Sequence, residues 1–372
     1  MKRILIFYSH FSPAFKAGGP VQSLVNLVNA LHEDFEFYVF CGAYEMGDRN
    51  VLSSIKPDTW NSYSHNVQVY YATNSIAAKI SSAIERIDPD FIYVNGIFLL
   101  FYNTLPLWRT KTHHKKIVVA PRGMLQAGAL AIKPLKKKLF LLLLKTTCLL
   151  KNVIWHATDD QEAKDIKKII DANAFVRIAS NIPKAIPNSI VSKEKVRGKM
   201  KLVYLSLITE KKNIHVVLQA LLLLKTSIEF DIYGPIKDDA YWMKCEGMIK
   251  GQIHDINYRG PINPNGVQET LSKYHAFILP TKGENFGHAI YESLSVGTPV
   301  LITPFTPWGR LQDFNAGITV ETFKPEDWAK AIKKFIDFND QEYSIYSKGA
   351  FGRATDYFSK NDFKTQYQNL FS

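Results

Sequence analysis

Short runs of β-branched, aromatic and leucine residues alternate along the whole chain with segments whose apolar positions recur at helical spacing. The runs at 3–9, 36–42, 67–73, 91–94, 116–120 and 153–157 read as strands, and a second series follows at 201–205, 229–233, 256–259, 276–280, 299–303 and 317–321. Between them, Val21, Leu24, Val25, Val28 and Leu31 fall at the i, i+3, i+4, i+7 spacing of one buried helix face. Strands alternating with helices build parallel sheets, so each series predicts one doubly wound α/β domain. The segment 187–200, rich in Ser and Lys, separates the two series. This predicts domains over 1–187 and 188–353, with a last helix from about 354 to the end that can join either. Two such domains facing each other leave a central cleft at the carboxyl ends of their strands, where ligands of these sheets bind.

Composition narrows the setting. A chain of 372 residues is too long for one ordinary core, and 46% hydrophobic with 22% charged residues is the balance of a folded protein. Cys41, Cys148 and Cys245 are scattered without metal or redox spacing, which points to a reducing compartment. The apolar run after Met1-Lys2-Arg3 ends at Ser9-His10, too soon for a signal peptide, and the longest apolar run, 139–144, is too short to span a bilayer. A cytoplasmic location follows as the expectation. The net charge of +12 is uneven: from Phe91 to Thr158 there is no Asp or Glu but eleven Lys or Arg. Such a block calls for an anionic partner.

One stretch carries the clearest chemistry. In the run from Pro280 to Val300, a strand gives way to a loop containing Gly283 and Glu284, and a helix opens near Gly287. The backbone N–H groups of Asn285, Phe286 and Gly287 then stand at a helix N-terminus, a natural anion site. Glu284 precedes the helix and Glu292 lies just over one turn inside it, so both can accept hydrogen bonds from polyols. The plainer alternative makes Glu284 a dipole-favoured charge and Glu292 part of a solvated helix face.

The run Glu284-Asn-Phe-Gly287-His288-Ala-Ile-Tyr-Glu292-Ser-Leu-Ser-Val-Gly297-Thr-Pro299-Val resembles the donor-binding signature of glycosyltransferase family 4, retaining enzymes of the GT-B fold. Lys212-Asn-Ile-His is similar to the Lys-Gly helix start of that family, and Gly18-Gly19-Pro20 to its N-domain glycine loop. Pro121-Arg122-Gly123-Met124-Leu125, Ser180-Asn181-Ile182-Pro183 and Thr306-Pro307-Trp308 resemble one subgroup. The resemblance implies two Rossmann-like domains and a nucleotide-sugar donor. By the same resemblance Glu292 holds the donor ribose, Glu284 meets sugar hydroxyls, and the amides of Asn285 to Gly287 hold sugar and phosphate. Lys212 would neutralise the leaving diphosphate, with no metal or other cofactor, and Gly18 and Gly19 would let the backbone approach the donor phosphate.

The chain departs from the pattern where an arginine is common five residues before the lysine; Leu207 stands there. Arg122 and Asn95 occupy places where histidines are frequent. Arg122 suits a compensating catalytic charge, an acceptor-phosphate contact or a structural hydrogen-bonder equally well. His288 reads as a donor contact or a first-turn histidine satisfied locally. Trp308, in a proline-rich loop after a strand, reads as a wall of the donor pocket.

On a helical wheel over 131–151, Leu135, Leu139, Leu142, Leu143, Leu149 and Leu150 share a face free of lysine, while Lys133, Lys136, Lys137, Lys138 and Lys145 lie opposite with Phe140, Leu141 and Leu144. Leucines interleaved with cations suit the inner face of an anionic membrane and a lipid-linked glycan acceptor. A core helix with solvated lysines is the alternative. Nucleic acid is a poor fit, because the patch is leucine-rich and lacks aromatic platforms. A GT-B sugar-nucleotide epimerase or a non-catalytic sugar-nucleotide-binding protein would share most of these features.

Overall fold

The computed structural model describes residues 1–110, 115–131 and 133–372; Lys111, counted above among the cations, lies outside them. The chain divides into two compact units, Met1–Ile182 with Asp362–Ser372, and Pro183–Asn361.

The first unit is built on β1 (Lys2–Phe7), β2 (Phe35–Gly42), β3 (Trp60–Ser64), β4 (Val67–Ala72), β5 (Phe91–Asn95), β6 (Lys116–Ala120), β7 (Val153–Ala157) and β8 (Val176–Ile178). They form one sheet in the order β3-β4-β2-β1-β5-β6-β7-β8. Every pair is parallel except β3 with β4. Ile4, Leu5, Ile6 and Phe7 are fully buried, as a central strand covered on both faces requires. The helix Gly19–Leu31 buries Val21, Leu24, Leu27, Val28 and Leu31 against the sheet, with Val25 half-buried at the margin.

The second unit carries β9 (Lys201–Leu205), β10 (Glu229–Tyr233), β11 (Asp255–Gly260), β12 (Ala276–Leu279), β13 (Val300–Ile302) and β14 (Gly317–Thr319). Their order is β11-β10-β9-β12-β13-β14, all parallel. Strand order reverses between β9 and β12, and between β1 and β5 in the first unit. Loops at such a switch point diverge and leave room for a ligand.

All the expected strands form, and two more join them. β3 is half-exposed with little alternation, and β8 spans only three residues, so neither rises above its surroundings in the sequence. The single last helix expected from about 354 is instead two, Asp340–Lys360 and Phe363–Leu370. The second belongs to the first unit, where Phe371 packs its ring against Phe35, Phe91 and Tyr93. The expected boundary at 187/188 lies inside the second unit. The polar segment there is anchored rather than free: Lys195 Nζ donates to the carbonyls of Val196, Ile336 and Phe338, and Lys193 Nζ to Thr298 Oγ1 at 2.5 Å.

The leucine-rich segment is also corrected. Its helix is Pro134–Thr146, and Leu141 and Leu144 are the leucines it buries. Leu135, Leu139, Leu142 and Leu143, expected to share a face with Leu149 and Leu150, are solvent-exposed. The helix ends before Leu149 and Leu150, which a turn through Cys148 directs back to the core. No described helix is long and apolar enough to cross a membrane.

Candidate active site

In the second unit the loops after β9 and β12 meet at the switch point. Lys282 N–H donates to Lys211 O at 2.9 Å, fastening one loop to the other. One residue beyond Lys211, the Lys212 ammonium donates to a Glu284 carboxylate oxygen, and both side chains are largely shielded from water. Asn213 follows in the left-handed region, which its short polar side chain tolerates, and the helix His215–Leu221 begins just after. Buried Thr281 folds the second loop on itself by accepting from Gly283 N–H, and Glu284 N–H donates to Phe305 O.

Gly287 ends this loop with φ +79° and starts the helix His288–Ser295, whose N-terminus no side chain caps. A Cβ there would meet Ile290 Cδ1 at 2.9 Å in a left-handed backbone, so glycine suits the position, and Glu284 Cγ lies in ordinary contact range at 3.6 Å. Among the described residues, the N–H groups of Phe286 and Gly287 bond to no protein acceptor. Lys212, Glu284 and these donors thus form one small polar centre.

Glu292 sits on the second turn of that helix and is only 5% exposed, so the solvated-face alternative fails. Burial pushes its pKa up to about 7, with the nearby Lys184 ammonium partly opposing. The carboxylate makes no side-chain hydrogen bond within the described residues. A buried acceptor of this kind is costly unless a ligand satisfies it. Lys184, held by its bond to Pro264 O at 3.0 Å, was not singled out in the sequence; it directly follows the Ser180–Pro183 motif, the one signal that pointed to it.

The aromatic neighbours are packing rather than pocket. Trp308 is fully buried among Phe286, Tyr291 and Tyr357 and donates its indole N–H to Phe286 O at 2.5 Å, so it fills the core instead of walling a ligand site. His288 is buried with its ring centroid 4.7 Å from that of Phe286, edge to face.

The first unit holds the remaining candidates. Gly18, with φ +80°, precedes the helix that Gly19 opens, and Gly18 N–H donates to Phe15 O at 3.0 Å. Glu45 fixes this loop by accepting from the backbone N–H groups of Phe15, Lys16 and Met46. Arg122 is buried, and all three of its nitrogens are engaged: Nε with Asn95 Oδ1 at 3.1 Å, one terminal nitrogen with Asn181 Oδ1 at 2.6 Å, the other with Tyr93 Oη at 2.8 Å. The direction of the next bonds is fixed by chemistry. His156 Nε2 faces Ala179 O at 2.8 Å and must donate, so Nδ1 accepts from Tyr93 Oη at 2.6 Å. Burial and the Arg122 charge hold His156 neutral, its pKa pushed down to about 3. Glu162 completes the set, accepting from Gly123 N–H and from Thr158. None of Tyr93, His156 or Glu162 stood out in the sequence, because their partners are far away along the chain. Lys133, Lys136, Lys137 and Lys138 lie apart from this network, on the leucine-rich helix and its N-cap.

The fold is that of the GT-B glycosyltransferases. Residues 186–350, most of the second unit, match the family described as glycosyl transferases group 1. The chain is similar in fold to sucrose-phosphate synthase from Thermosynechococcus elongatus (TM-score 0.73, 15% identity, covering 99% of this chain and 97% of that one). It is similar to Anabaena HepE in complex with UDP and glucose (TM-score 0.71, 13% identity, 100% and 98% covered). WaaG, a glycosyltransferase involved in lipopolysaccharide biosynthesis, gives a TM-score of 0.65 at 13% identity, with 99% and 98% covered. No curated protein sequence matches the chain.

Proposed function

We propose that the protein is a retaining, metal-independent transferase that moves a sugar from a nucleotide-sugar donor, held by the second unit, to a lipid-linked glycan acceptor in surface polysaccharide or glycoconjugate synthesis. The observation that carries the donor assignment is Glu292, a buried carboxylate with no protein hydrogen bond inside the segment that matches the family. A ribose diol offers two donors to such a group. Lys212 and the N–H groups of Phe286 and Gly287 would receive the diphosphate. Charge grows there as the bond from the anomeric carbon to the diphosphate oxygen breaks, so these groups stabilise the transition state more than the ground state. The acceptor hydroxyl attacks the face the diphosphate leaves, and its proton passes to the departing phosphate oxygen. Glu284 is held as a carboxylate partner of Lys212, which suits it to orient sugar hydroxyls rather than to act as a nucleophile. Arg122, saturated by its own unit, is assigned a bracing role on the loop after β6 in place of a catalytic one.

Incubation with UDP-, GDP- and ADP-sugars, read by nucleoside diphosphate release with and without a lipid-linked acceptor, tests this. Acceptor-dependent release with the anomeric configuration kept supports the reading. Sugar interconversion without transfer identifies an epimerase, and nucleotide binding without any turnover identifies a binding protein.

A further inference from the structure

The first unit exposes a second apolar element that the leucine-rich helix alone does not explain. After β5 the chain makes a turn through Leu99, Leu100 and Phe101, and Leu100 is 59% exposed. The turn is not loosely held. Buried Asn103 accepts from Leu99 N–H at 2.9 Å and donates to Asn95 O at 2.7 Å, while the backbone N–H groups of Asn103 and Thr104 return to Leu99 O. Tyr102 packs inward at the same point, so its two apolar neighbours are presented outward by a pinned backbone. A few residues on, Trp108 is 55% exposed beneath the Arg109 guanidinium, 4.8 Å from its ring.

This turn adjoins the leucine-rich helix. The Phe98 and Phe140 rings are 5.7 Å apart, and Lys137 Nζ lies 5.2 Å over Phe98 while donating to Ala129 O. The helix adds Leu135, at 81% the most exposed of its leucines, with Leu139, Leu142 and Leu143. Lys133, Lys136 and Lys138 are exposed and form no ion pair among the described residues.

We propose that the turn Leu99–Phe101 and the exposed face of Pro134–Thr146 together dock shallowly on an anionic lipid surface. Charge decides the partner. A face bearing this many large apolar side chains suits a lipid or a protein, but no acid occurs between Phe91 and Thr158 to pair with a basic partner. Anionic headgroups satisfy the lysines while the leucines and Phe101 enter the acyl boundary. Trp108 beside Arg109 is the side-chain pair that settles at such an interface. This deepens the proposed lipid-linked acceptor, and its test is independent of transfer.

Co-sedimentation of the full chain with vesicles of phosphatidylglycerol and phosphatidylcholine, against phosphatidylcholine alone, is the experiment. Wild type binds the anionic vesicles, and binding fades as salt rises. Leu100→Ser with Phe101→Ser weakens binding on the order of tenfold or more, from the lost apolar burial. Replacing Lys133, Lys136 and Lys138 with Gln weakens it by about fivefold per charge and flattens the salt dependence. Binding unchanged in the Leu100/Phe101 variant overturns the proposal. So does self-association of the free protein that the same substitutions abolish, since the face is then covered by a second copy. Titration of each variant with UDP, GDP and ADP runs alongside: nucleotide binding without vesicle binding sinks only the docking face, and the reverse sinks only the donor site.

Discussion

Both units carry a shielded cation just beyond the end of a sheet strand, Arg122 after β6 and Lys212 after β9, and they are held in opposite ways. Arg122 is surrounded by partners from β5, the loop at Asn181 and the returning C-terminal helix, with Tyr93, Tyr367 and Glu162 raising its pKa against the effect of burial. Tyr93 and His156 beside it have their donors and acceptors assigned, down to the tautomer of His156. Lys212 has one carboxylate partner, next to an uncapped helix N-terminus and in the same unit as a buried glutamate without a hydrogen bond. A polar group already satisfied by its own fold stabilises that fold; one left incomplete in a shielded place has chemistry to offer a ligand. In the sequence the arginine suited a catalytic charge, a phosphate contact or a structural hydrogen-bonder alike, and its hydrogen bonds favour the last.

The contrast is broken most sharply at Lys212. Lys212→Ala should lower turnover by about 10²–10³-fold, the range for removing a preorganised transition-state donor, while nucleoside diphosphate affinity falls far less. Steady-state rates set beside calorimetric titration check this. Arg122→Gln should do the reverse: a loss of roughly 3–5 kcal/mol in stability by denaturant unfolding, because Asn181, Tyr93 and Glu162 are left buried without their cation.

Glu292 sharpens the comparison through pH. Its pKa in the folded protein, about 7, lies above the ordinary 4.5, so the folded state holds the proton more tightly. This contribution to stability is full at pH below the ordinary value and is lost as pH rises toward and through about 7. Glu292→Gln should therefore be more stable than wild type at pH 8, on the order of 1–3 kcal/mol, with the difference vanishing near pH 4. Unfolding curves across pH read it; a variant less stable at every pH would mean the carboxylate is satisfied within the protein. Gly287→Ala should cost about 1–3 kcal/mol from its left-handed backbone alone, and tilt Glu284 away from the helix opening. The smallest effect expected is at Leu207: Leu207→Arg restores a cation near the diphosphate and should raise turnover a few-fold or leave it unchanged, and activity should survive EDTA.

Much of the frame was legible in the sequence, for reasons that also mark where reading stopped. The buried strands announced themselves because both faces are covered and the apolar runs are unbroken; β3, half-exposed, and three-residue β8 lack that signal. The two glutamates and the glycine between them were legible as a local pattern, since loop, helix N-terminus and spacing are properties of neighbouring residues. The burial of Glu292 was not, because it depends on the packing around a helix almost all of whose residues are buried. The partners of Arg122 were hidden for the same reason on a larger scale: they lie at 93, 95 and 181. The leucine-rich helix failed differently. It is apolar on two sides, so periodicity cannot say which side the core takes, and the core took Leu141 and Leu144.

The central claim is that the incomplete site in the second unit, not the saturated one in the first, holds the nucleotide. Calorimetric titration of Glu292→Ala with the nucleoside diphosphate that binds wild type tests it most directly. The expected result is a loss of roughly 1.5–3 kcal/mol in binding, the worth of hydrogen bonds to a charged acceptor, with the first unit's stability unchanged. Full affinity in Glu292→Ala would contradict it and place the ribose elsewhere.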